Sequence, residues 1–370
     1  MLCPMLMRMT GVLMRLLLGF MVFLLSMPLY AVQVDGLYTA NVAVKDQSSA
    51  ARNMAMGEAL REVVHKVSGR RSALDNVALL EALSNAGSYV EQFQYKQMDE
   101  GADYWLIVRF QKAGIDQTLQ QFGVPVWGAN RPSVLLWLAI DEGGRRFIAG
   151  AESDSGLAAM LTQEVRNMGL HVTLPLLDLA DQRDIGFNDV WGGFSEQIQQ
   201  ASKRYGHSQV MFGRLLKKGA AWQFDWTLMN ESQQNRGLEK SNTARLVFRQ
   251  AFAQVAEKLA DTYAPLSVAS QENQLKIEVG DVKNLSQFVS MTSYLSSLDM
   301  VKKLSWGQLI DNKVVLTVVI RGDAAVLEET IALNNALSPD SSPRNQYILP
   351  DGMKALPADL MEKTLYYRAN

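Results

Sequence analysis

Val124-Pro125-Val126-Trp127-Gly128-Ala129-Asn130-Arg131-Pro132-Ser133-Val134-Leu135-Leu136-Trp137 is the stretch that divides the chain and sets its fold class. Its two prolines bracket a junction, because proline continues neither a helix nor a central strand. Just past Pro132, residues Val134 to Ile140 are nearly all apolar, the pattern of a strand buried on both faces. Such a strand needs a layer on each side. The unit it opens therefore reads as α/β or α+β with a partly parallel sheet.

Downstream, the spacing predicts a helix over Ser155–Met168, a strand over Leu170–Leu174 and a helix from Asp189 to Tyr205. A hairpin comes next (Ser208–Leu216 with Trp222–Met229), then a long amphipathic helix over Arg245–Tyr263. This central domain runs 132–265 and closes at Pro265. Upstream, 32–128 reads as a β-α-α-β-β-α module. Its strand alternates Tyr38, Ala40, Val42 and Val44 with polar or small residues. Its first helix is capped at Ser48 or Ser49 and carries an apolar stripe of Ala51, Ala55, Ala59, Val63 and Val67, stopping at Gly69. A third module over 274–337 has β-α-β-β-α order, ferredoxin-like, with a turn expected at Asp311-Asn312. Its first helix carries Leu285, Phe288, Val289, Met291, Thr292 and Leu295. Four of the ten prolines lie in 338–370, which lacks periodicity and reads as an extended tail.

Residues 1–31 have the parts of a secretory signal: Arg8 and Arg15, the apolar run Leu16–Leu25, then Ser26, Pro28 and Ala31. Cleavage near Ala31 and a periplasmic destination are expected. Leu29 is large for the minus-three position, so an uncleaved inner-membrane anchor is the alternative. The sole cysteine, Cys3, lies in this leader. Removing Arg8 and Arg15 takes the net charge from −2 to −4, with no run of like sign, which argues against nucleic-acid binding. No later segment is long and apolar enough to span a membrane.

Chemistry is sparse. His65, His171 and His207 fall in different elements without ligand spacing, so no metal site is expected. Gly143-Gly144 and Gly192-Gly193 lack the spacing of a dinucleotide loop and read as turns. Asp178, Asp181, Asp184 and Asp189 read as a solvated loop rather than a calcium site. There is no G-x-S-x-G elbow. No catalytic residue and no cofactor is assigned. The candidates for interaction are Arg70, Arg71, Trp127, Arg131, Trp191, Trp222 and Trp226, since arginine and tryptophan anchor interfaces. For Arg70 and Arg71 the simpler account is the dipole of the helix they follow, and for Trp222 and Trp226 it is core packing.

The junction motif P-V-W-G-x-N-R-P, with the opening strand and the run Val67-Ser68-Gly69-Arg70, resembles an uncharacterised family of Gram-negative envelope proteins, domain of unknown function 2066. More loosely, the first module is similar to the N-terminal module of flagellar assembly protein T, and the central domain to the N-terminal α/β domain of TolB. The resemblance implies an envelope compartment and no specific activity. The expected function is a periplasmic, non-enzymatic binding or assembly protein whose partners are envelope proteins, with a homo-oligomer also compatible. The alternatives are an envelope hydrolase using carboxylates or a serine of the central domain, and a small-ligand sensor with a cleft between the first two units.

Overall fold

The computed structural model describes residues 34–98, 103–152, 156–230, 233–264, 272–310, 313–334, 336–340 and 363–370; the leader and the Asp311-Asn312 turn lie outside them. Among the described residues the fold is α+β, with sheets of three, six and five strands and ten α-helices. None of those helices is long and apolar enough to cross a membrane.

The first module follows the order read from its sequence: β1 (Thr39–Val44), α1 (Ser49–Ser68), α2 (Val77–Ala82), β2 (Val90–Gln97), β3 (Tyr104–Phe110) and α3 (Lys112–Gln121). The sheet is antiparallel, β1-β3-β2. The Ser48 side chain accepts from the Ala51 amide and starts α1, and Gly69 ends it at φ 66°. Small residues along the helix, Ala55 and Ala59, let Leu60, Val63 and Val67 lie on the sheet among Val42, Leu106 and Val108. Gly57, on the same helix, has nothing within 4 Å of a built Cβ. Gly57→Ala is therefore expected to raise stability by about 1 kcal/mol, because it restores helix propensity without a clash. A urea titration checks this.

The central domain has β4 (Ser133–Glu142), β5 (Arg145–Ile148), α4 (Gly156–Asn167), β6 (His171–Thr173), α5 (Leu179–Asp184), α6 (Phe187–Gly192), α7 (Ser195–Ser202), β7 (Gln209–Lys218), β8 (Ala221–Met229), β9 (Gln234–Ser241) and α8 (Ala244–Tyr263). The sheet order is β5-β4-β7-β8-β9, with β6 also on β4. β4 runs parallel to β6 and β7, and the other pairs are antiparallel. β4 is buried on both faces as its composition requires. Leu136, Leu138 and Ile140 meet the core under α8, whereas Leu135, Trp137 and Ala139 meet a second core with Val190 and Ile198. Glu164 of α4 is fully buried and bonded to Arg245 (2.8 Å) and Arg249 (2.9 Å) of α8, which locks the two helices together. The single helix expected over Asp189–Tyr205 is corrected. It is broken into α6, α7 and a short 3-10 turn because Gly193 takes φ 70° and closes α6.

The third module comprises β10 (Glu272–Gly280), α9 (Leu285–Ser297), β11 (Val301–Ile310), β12 (Lys313–Arg321), α10 (Ala324–Ile331), β13 (Leu337–Pro339) and β14 (Thr364–Ala369). The strand order is β11-β12-β10-β14-β13. Both helices lie on one face, over Leu275, Ile277, Leu316 and Val318. The module does not end at Leu337. Residues 364–369 are extended as a strand that inserts parallel to β10, with Leu365 and Tyr367 buried.

Burial lowers the pKa of His65, His171 and His207 below the usual 6.5, with Arg71 adding to the effect at His65 and His171 at His207. Well above pH 6.5 each is neutral in both folded and unfolded chains. Below that value the unfolded chain takes up protons first, so folding weakens as pH falls. The melting temperature is expected to drop between about pH 7 and pH 5, and to drop less in the His65→Gln/His207→Gln double variant. Melts followed by circular dichroism across that range test this; equal slopes for both proteins would remove the histidines as the cause.

Candidate functional site

Most candidate interaction residues turn out to be structural. Arg131 is 4% exposed and Trp127 1% exposed, so neither meets a partner in this fold. The Arg131 guanidinium donates to the carbonyls of Gly128 (2.9 Å), Gly169 (2.9 Å), Lys66 (2.7 Å) and Trp127 (2.7 Å), with a longer bond to Met168 (3.5 Å). It lies 4.0 Å over the Trp127 ring. Those carbonyls come from α1, the junction and the end of α4, so one side chain joins the first module to the central domain. Arg70 adds an ion pair with Asp261 of α8 at 2.7 Å. Arg71 is exposed at the start of a 3-10 turn. The space left beside Trp127 is about 20 Å³, on the order of one water. Lys112 of α3 reaches Asp299 of the third module at 2.7 Å, and Asn130 donates to the Ser297 carbonyl at 3.3 Å.

Trp222 and Trp226 pack under α8 with Phe224 and Phe248, as the core reading of that strand requires. Trp191 lines a groove on the opposite face of the same sheet. The acids around residue 180 serve the local fold. Asp178 caps α5 and binds Arg204 at 2.7 Å, Asp181 takes Arg204 at 3.0 Å, and Asp189 accepts from the Gly186 amide at 2.7 Å. His207 and Ser133 are 2.7 Å apart through Nδ1 and Oγ.

The surface that stands out was not among the candidates. α9 buries Met291, Tyr294 and Leu295 against the sheet, but Leu285, Phe288 and Val289 form a second apolar stripe at i, i+3, i+4 spacing. Opposite that stripe lies β11, the edge strand. Trp306 pairs with Leu316 and Leu309 with Val314, so both point to the helical side of the sheet. Among the described residues no helix covers them there. Leu285 is 75%, Trp306 69% and Leu309 66% exposed. Between helix and strand runs a groove of about 840 Å³ floored by Val282 and Val314, with Lys283 at its rim. An open apolar surface of this kind marks an interaction site more often than a monomer's ordinary surface. The signal was legible in part: α9 has more apolar residues than one face of a helix can bury.

Residues 31–128, the first module, match the model of a domain of unknown function, DUF8605. This corrects the assignment of the motif-bearing region to domain of unknown function 2066, and the likeness to flagellar assembly protein T falls with it. No curated protein matches. Among solved structures, TolB from Acinetobacter baumannii is 15% identical, with 40% of this chain and 32% of TolB covered at a TM-score of 0.21. Homoserine dehydrogenase from S. aureus is 12% identical, with 40% and 44% covered at 0.14. Formyltetrahydrofolate deformylase from Burkholderia mallei is 12% identical, with 50% and 90% covered at 0.16. The chain thus spans less than half the length of the first two, and likenesses this slight carry no argument about activity.

Proposed function

We propose that this chain is a periplasmic, non-enzymatic binding or assembly protein of the Gram-negative envelope. In this reading its leader is removed near Ala31, and the groove between α9 and β11 receives an amphipathic segment of a partner protein. The observation that carries the reading is the exposure of Leu285, Trp306 and Leu309 around one apolar groove. An amphipathic helix laid in such a groove buries anchors at i, i+3 or i+4, and i+7. Lys283 at the rim has no carboxylate partner among the described residues, which favours an acidic flank on the partner. Photocrosslinking residues placed at Trp306 and Leu309 in intact cells test it, with Gln199 on the exposed side of α7 as control. One dominant adduct from both groove positions and none from the control is expected. Equal adducts from all three positions, or none, would overturn the reading.

The second reading, an envelope hydrolase, draws its support from the Ser133–His207 contact. A nucleophile needs its base oriented by a third group. Among the described residues no carboxylate bonds His207, whose ring instead stacks on Tyr205 at 6.4 Å. Ester hydrolysis abolished by Ser133→Ala would favour this second reading.

A further inference from the structure

We infer that the groove on the open face of the central sheet binds organic oxyanions, carboxylates or phosphates that carry a flat apolar body. The face is set by register. Phe212, Thr227 and Arg236 align across β7, β8 and β9, and Arg214, Asp225 and Leu238 form the next row on the same side. Helices α6 and α7 cover this face over β4, β7 and the Met229 end of β8, leaving beside them a groove of about 390 Å³ whose wall is Trp191. That volume falls in the range of small-molecule sites.

Its chemistry comes from two guanidinium groups on strands two apart and in adjacent rows, roughly 12 Å at the backbone, a span that long side chains close. Asp225 holds Arg214 through Nε alone, at 2.8 Å. The terminal nitrogens of Arg214 therefore have no partner among the described residues, and they form the planar fork that suits an oxyanion. Arg236 bonds only Gln234, at 3.3 Å, and meets no carboxylate among the described residues. Two cations against the single Asp225 leave the groove with one net positive charge. Trp191 stacks on Phe187 with ring centres 5.3 Å apart and planes 22° apart, which fixes the indole as a wall. Leu238 stands exposed on the same face. Charge on the floor and a fixed aromatic wall together select an anion attached to a ring or similar flat group, over a bare ion or a cation. This site is independent of the third-module groove.

Titrating the full chain with phenyl phosphate, benzoate, inorganic phosphate and benzylamine, followed by NMR shifts of the arginine Nε–H and tryptophan indole signals, tests the inference. Saturable binding of phenyl phosphate or benzoate is expected, weakened at least tenfold by Arg236→Gln and by Arg214→Gln, with both variants melting like the parent. Which of the two anions binds more tightly identifies the headgroup. Trp191→Ala should weaken the aromatic anions at least fivefold and leave inorganic phosphate unchanged. Equal binding of benzylamine, binding indifferent to Arg236→Gln, or no saturation by either aromatic anion would overturn the inference.

Discussion

Arg131→Ala is expected to destabilise the chain by about 4 kcal/mol or more, a large share of the roughly 5–15 kcal/mol that holds a typical domain. The side chain is buried and donates to carbonyls of Gly128, Gly169, Lys66, Trp127 and Met168. Each carbonyl left without a donor in a dry site costs about 1–3 kcal/mol, and the costs add imperfectly because the groups share one cavity. Loss of the stack on Trp127 comes in addition. Arg131→Met separates these effects. It keeps most of the volume and removes every hydrogen bond, so it should recover little. Urea titration of both variants measures the effect; a loss under about 1 kcal/mol would show that the carbonyls find other donors. Limited proteolysis should also cut the junction faster in the variants, since the bonds to Lys66 and Gly169 join two modules.

Gly69→Ala is expected to be the next most damaging change, at about 3 kcal/mol. The residue sits at φ 66°, where an alanine is strained by about 1–2 kcal/mol. Its Cβ would also fall 2.6 Å from Cε3 of Trp127 and 2.7 Å from Cβ of Ala260. Neither neighbour can retreat. The Trp127 ring is held by Arg131, and Ala260 is fully buried on α8. Pairing the change with Ala260→Gly should restore part of the loss by opening space, though not the part due to backbone strain. The contrast with Gly57→Ala, where the same added methyl meets nothing, is the internal control.

How much of this was legible in the sequence depends on what each residue answers to. The strand at 134–140, the Ser48 cap and the Gly69 stop answer to local rules and were read as they stand. β9 was missed because Gln234–Ser241 is a polar edge strand, with Leu238 its single large apolar residue, and owes its pairing to β8. β14 was missed for a different reason: its alternation, with Leu365 and Tyr367 buried, spans only six residues, and its partner β10 lies far upstream. Arg131 looked like an interface residue because nothing in sequence announces that carbonyls from residues 66, 127, 128 and 169 converge on one point. Trp191 lines an open groove on the face away from α8, and its sequence context does not differ from that of Trp222 or Trp226, which belong to the core under α8. The apolar groove was half visible. The two apolar faces of α9 could be counted, but which face the sheet would cover depended on the strand order.

The groove's role is tested most directly by reading its accessibility in the cell. Cys3 is the sole cysteine, so a Cys3→Ser background carrying Leu309→Cys, or Gln199→Cys as control, reports one position at a time. A maleimide that crosses the outer membrane but not the inner one is added to intact cells and to purified protein. Both positions should react quickly in the purified chain. In cells the control should react as fast, which also places the chain outside the cytosol, while position 309 should react at least about tenfold more slowly because a partner covers it. Equal, fast labelling of both positions in cells would contradict a groove occupied by a partner, and no labelling of the control would contradict the compartment.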